Sequence, residues 1–306
     1  MDKPRWLLLA GLVAVSLTFT SFAGAPSAEA DQVAYSPIDM AEATPTPAPP
    51  CTPAVWLPIV RRPHVCQPVA GASYADTPAS GYPPGDPPAN EHPDLNLSLR
   101  GWQANGDAYL GLVDYTGSAD LKAPQLVGLF ADQRAPTITA GYRVYDWNWN
   151  TNTRGPLLRT YPVTLAGLAA TPGETVHVPA SGYSIGGTQN FEVLVLYADE
   201  DSITLKYTRD DNVVQGYTLH LEGLCVEPSL LKLYEDDNAA GRSRLPGLTE
   251  LQALGRAEGN EVRVAIRDNG TFMDPRSHKD WWQTVTTTSQ AVEQQLSLRH
   301  DVLGTQ

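Results

Sequence analysis

The chain has 306 residues, 42% hydrophobic and 18% charged, and its net charge is −13. That balance accords with one or two globular units built on a sizeable core, with disordered ends. A strongly acidic surface repels polyphosphate, which excludes nucleic acid from the expected partners.

Residues 1–30 read as a secretory signal peptide. Lys3 and Arg5 precede the apolar run Trp6–Thr20, and Ala28-Glu29-Ala30 offers a small-residue cleavage site. A retained signal anchor is the alternative, since a run of this length only marginally spans a bilayer. No cysteine directly follows the run, so lipid attachment is not expected, and the mature protein is placed outside the cytoplasm, secreted or at the bacterial cell envelope. Residues 31–50 end in Thr-Pro-Thr-Pro-Ala-Pro-Pro, a polyproline spacer. Residues 51–66 form a small knot in which an exported Cys51 and Cys66 are expected to pair. Such a loop would stabilise the segment by about 3 kcal/mol. Residues 67–93, rich in Pro and Gly, read as a second linker, so folding is expected to begin near Asp94.

From there the pattern is β. Alternation marks strands at Leu95–Leu99, Ala108–Tyr115, Leu126–Phe130, Gly141–Trp147, Phe191–Tyr197, Ser202–Tyr207 and Tyr217–Leu221. Within this stretch, residues 94–160 form a β region of no recognised type. Cys225 lies in a strand-like run and is expected to be a small buried apolar residue rather than a nucleophile. Pro228 opens a helix over Ser229–Ala240, which Gly241 closes. Asn260–Ile266 is a further strand, followed by the hairpin turn Asp268-Asn269-Gly270-Thr271. Residues 284–306 read as a loose tail. The carboxylate runs Asp199-Glu200-Asp201, Asp210-Asp211 and Glu235-Asp236-Asp237 offer oxygens for calcium, but solvated turns are the plainer reading. Asn96-Leu97-Ser98 and Asn269-Gly270-Thr271 match glycosylation sequons by accident of composition.

Three phrases recur in a telling order: TPGETVHVPASG at 171–182, GYTLHLEGL at 216–224 and NEVRVAIRDNGTFMDP at 260–275. Together they resemble the lysostaphin-like (LytM-type) zinc endopeptidases, whose phrases run HxGxDxAAPxGTPVYAPASG, YxTLYAHL and HLHFEIRxNGxxVDP. The resemblance implies a mainly β fold: a barrel-sandwich over residues 161–283 with added N-terminal β structure and one short helix. It also implies where metal should sit, and there the chain departs from the family. Val163 falls on the first histidine ligand, Gly167 on the aspartate and Arg263 on the last histidine of H-x-H, with Glu261 on the first. Glu222 falls on the catalytic histidine of the middle phrase. A catalytic zinc needs about three side-chain ligands. Arg263 would repel one, because a guanidinium stays protonated.

A degenerate form of the family is therefore expected, with no cofactor. Its role would be binding or regulation, with cell-wall glycan, peptidoglycan or an envelope protein as partner. One alternative is an active zinc endopeptidase of peptidoglycan with relocated ligands. His177, His220 and Glu222 are the residues that could rebuild a polar site, since positions 220 and 222 of a strand share a face; a satisfied strand histidine is the plainer reading of His220. A second alternative is a carbohydrate-binding module. Tyr145, Trp147 and Trp149 would share one side of a regular strand, either anchoring its end in the core or presenting a glycan platform.

Overall fold

Alternating apolar residues, punctuated by Gly and Asn turns, pair most of this chain into antiparallel strands. The structure, a computed structural model, describes residues 67–81 and 88–285. The signal sequence, the proline spacer, the 51–66 knot with its Cys51–Cys66 pairing, and residues 286–306 of the tail lie outside the described residues.

The strands, in chain order, are β1 (Ala75–Pro78), β2 (Trp102–Ala104), β3 (Ile138–Asn148), β4 (Thr153–Leu157), β5 (Leu165–Ala169), β6 (Thr175–His177) and β7 (Val193–Ala198). There follow β8 (Ser202–Lys206), β9 (Tyr217–Glu222), β10 (Leu224–Val226), β11 (Arg244–Leu248), β12 (Ala253–Ala257), β13 (Glu261–Asp268) and β14 (Thr271–Phe272). One large antiparallel sheet runs β1-β11-β7-β8-β9-β13-β5-β3-β2, with β14 beside β13 and β4 beside β3. A small sheet runs β10-β12-β6. The fold is mainly β.

The centre of the large sheet is buried on both faces, and the two faces differ. Ile203, Leu205, Leu219, Leu221, Val262 and Val264 are buried in the main apolar core. The residues between them, Ser202, Thr204, Lys206, Thr218, His220 and Glu222, are buried as well. Side chains alternate across a strand, so these polar groups share the opposite face. The segment before β2 lies against that face: the Thr204 hydroxyl donates to the Leu95 carbonyl at 2.7 Å. Phe272, Leu165, Val144 and Leu97 add a small apolar cluster. Lys206 donates to the carbonyls of Gln215 and Gly216, and burial pulls its ammonium down to about 8.

Several expectations hold. Helix α2 (Pro228–Ala239) starts at a proline, with the Glu227 carboxylate capping the amides of Ser229 and Leu230. The hairpin turn carries Asn269 and Gly270 at φ +46° and +79°, the pair that a type I′ turn requires. Others are corrected. Leu95–Leu99 is not a strand: Asn96 accepts from the Ser98 amide, caps the one-turn helix α1 (Leu97–Arg100), and Gly101 at φ +66° ends it. Leu126–Leu129 is a 3₁₀ turn, and 108–115 is irregular apart from a bridge at Val113. Short apolar runs do not distinguish strand from helix by periodicity alone, which is why these failed. The 67–93 stretch is not all linker, since β1 pairs with β11. Nor do 94–160 and 161–283 separate, because β3 pairs with β5 and β5 with β13. Cys225 is buried on β10, the place expected of a small apolar residue in a strand.

Candidate functional site

Pairing register gathers the family-matched positions. Arg263 on β13 stands opposite Gly167 on β5 and opposite Glu222 on β9, so three of them form one cross-strand row. Glu261, two residues along β13, reaches over Gly167, where an added Cβ would collide with its carboxyl and with the Thr139 hydroxyl. Glu261 accepts from Thr139 at 2.5 Å and from the Tyr142 hydroxyl at 3.0 Å. The Arg263 guanidinium lies 5.0 Å from the Trp102 ring centroid, and its buried Nε finds no acceptor among the described residues. Glu222 is buried, and its carboxyl is pushed up to about 8, first by burial and then by Asp199 and Asp201. Val163 does not join the row: it is fully buried just before β5 and packs against Gly141.

These residues do not fit a zinc ion. Gly167 has no side chain to offer, Arg263 carries a fixed positive charge, and Glu222 favours its neutral form, whereas metal ligands must be deprotonated. The alternative set does not assemble either. His177 stands on β6 of the small sheet, while His220 and Glu222 stand on the large one. Among the described residues no group of three His, Cys, Asp or Glu could hold a metal ion. His220 is buried, its Nδ1 lies 2.9 Å from the Thr204 hydroxyl, and its Nε2 has no partner among the described residues. Burial holds its pKa well below the usual histidine range, so it is neutral.

The aromatic run takes a different course from either sequence expectation. The pairing of β3 with β4 is irregular between Tyr145 and Trp147, and β3 ends at Asn148. Tyr145 and Trp147 are half-buried and bonded locally, the hydroxyl of one to Gln103 and the indole of the other to Asn152. Trp149, past the strand end, is 52% exposed. Its indole packs against the His92 ring at 5.4 Å and forms one wall of a cleft of about 290 Å³. Asp94, Arg100 and Arg267 line the same cleft.

Those three residues are a fixed unit. Asp94 Oδ1 accepts from Arg100 at 2.7 Å and from Arg267 at 2.8 Å, and both guanidiniums are 5% exposed. Although burial opposes ionisation, Arg267 and Arg100 hold the Asp94 carboxyl below the usual range. Arg267 also donates to the Gly270 carbonyl, which ties the cluster to the hairpin turn. Thr160, Thr164 and Thr271 add hydroxyls to the lining. The sequence singles out Trp149 but not Arg100 or Arg267. Their one signal was the alternation of Arg263 and Arg267 within an otherwise apolar strand, which marks a buried polar face.

No protein-family model matches this chain, and comparison with curated proteins and with solved structures returned no match.

Proposed function

We propose that this chain is an exported, non-catalytic, peptidase-like protein that binds saccharide in the Trp149 cleft, in a binding or regulatory role at the bacterial cell envelope. The observation that carries the ligand class is an exposed indole lining one cleft with the locked Arg100–Asp94–Arg267 unit. A sugar ring offers an apolar face and a rim of hydroxyls, and the cleft supplies an aromatic surface with oriented donors and acceptors at its edge. The absence of catalysis is supported by Arg263 in the middle of the cross-strand row, where the sequence phrases call for a metal ligand. Kinship to the lysostaphin-like peptidases rests on those phrases, with which a mainly β fold is compatible. Export rests on the charged and apolar pattern of residues 1–30.

The test is a sacculus pull-down with parallel metal analysis of the purified protein. Wild type should sediment with sacculi, and Trp149→Ala should weaken binding about fivefold, the loss of roughly 1 kcal/mol of stacking, without lowering Tm. Zinc should fall far below one ion per chain, and sacculi should not be cleared. Unchanged binding by Trp149→Ala overturns the cleft assignment. Stoichiometric zinc with sacculus cleavage overturns the non-catalytic reading in favour of the peptidase.

A further inference from the structure

Arg267 and Asp268 are neighbours at the end of β13, and strand alternation sends them to opposite sides. Arg267 lines the Trp149 cleft, while Asp268 lines a second cleft of about 350 Å³ on the other side of the same turn. The second cleft is built of Asp120, Asp268, Tyr183, Tyr207, Tyr217 and Thr208. We propose that it binds an organic ammonium group.

The rings are held in place before any ligand arrives. Asp120 Oδ2 accepts from the Tyr183 hydroxyl at 2.8 Å and from the Tyr217 hydroxyl at 2.9 Å. The two rings lie 6.2 Å apart, and Trp281 braces Tyr217 edge-on at 5.6 Å. Asp268 is half-buried, and its carboxylate accepts no hydrogen bond from the described residues. Aromatic faces beside an unpaired carboxylate in a partly desolvated cleft attract an organic cation by cation–π and Coulombic terms together. The protein's own ammoniums occupy only part of this cleft. Lys206 is committed to the carbonyls of Gln215 and Gly216, and Lys122 stands over the Tyr183 ring at 5.8 Å, so the Tyr217 ring and the Asp268 carboxylate are what the cleft offers a ligand. A bare divalent ion fits less well: calcium takes 6–8 oxygens, and one of the two carboxylates is already engaged by tyrosine hydroxyls.

The experiment is calorimetric titration of the folded chain with choline and with Nα-acetyl-lysine methylamide. The neutral counterparts are 3,3-dimethyl-1-butanol and the Nε-acetylated lysine derivative. At least one ammonium compound should saturate the protein at millimolar concentration and bind about tenfold more tightly than its neutral counterpart. Whichever of the two binds tighter identifies a quaternary or a primary amine as the source. Asp268→Asn should weaken binding at least about fivefold with Tm unchanged, and Tyr217→Phe, which keeps the ring, should weaken it less. Trp149→Ala should leave this binding intact, so the saccharide cleft and this cleft succeed or fail separately. Equal affinity for charged and neutral members of both pairs, or no effect of Asp268→Asn, overturns the proposal.

Discussion

Glu222→Gln isolates the least ordinary carboxyl of the cross-strand row. The Glu222 side chain is buried, and its carboxyl titrates near 8 in the fold against an ordinary 4.5, because burial and then Asp199 and Asp201 disfavour its charge. Between those values the native state binds more protons than the unfolded chain, so stability falls as pH rises across the window. At about 1.4 kcal/mol per pH unit, the full effect approaches about 5 kcal/mol by pH 8. Glutamine has the same shape and does not titrate. Tm of wild type and variant should therefore be measured by differential scanning calorimetry at pH 5, 6.5 and 8. A domain of this size moves by about 2–4 °C per kcal/mol, so the variant's advantage should widen by about 10 °C or more from pH 5 to pH 8. Taking the difference at each pH cancels the titrating groups that do not interact with Glu222. A gap constant within about 2 °C across the window would refute the assignment of a neutral, buried Glu222.

Three further outcomes follow from the packing. Asp94→Asn should cost about 3–5 kcal/mol in urea unfolding, because it leaves two buried guanidiniums without their shared carboxylate. In wild type that contribution is present above the unfolded carboxyl pKa of about 3.9 and is lost as pH falls through the lower folded value, so the Asp94→Asn deficit should shrink in acid. Trp281→Ala should cost about 3–5 kcal/mol, since this indole is 2% exposed and donates to the Asp274 carbonyl, whereas Trp149→Ala should cost under about 1 kcal/mol. Non-reducing peptide mapping should recover the Cys51–Cys66 linked peptide expected of an exported pair; Cys225 found in a bridge instead would contradict this.

The sequence alone determined what depends on neighbours in the chain. The β class, the helix opened by Pro228 and the Asn269-Gly270 turn are written in periodicity and in backbone freedom, both readable within a dozen residues. The same locality explains the misreading of Leu95–Leu99, where a single side-chain cap from Asn96 outweighs an alternating pattern. Tertiary structure decided the sites. That Gly167, Arg263 and Glu222 stand in one row follows from the register of β5, β13 and β9, which is set by burying the apolar face of each strand against a shared core. The same burial carries the intervening polar residues to the opposite face. There Asp94 meets an arginine 173 residues away, and a tryptophan just past a strand end becomes the wall of a cleft. No local pattern encodes that meeting, because its partners are chosen by the pairing of strands distant in sequence.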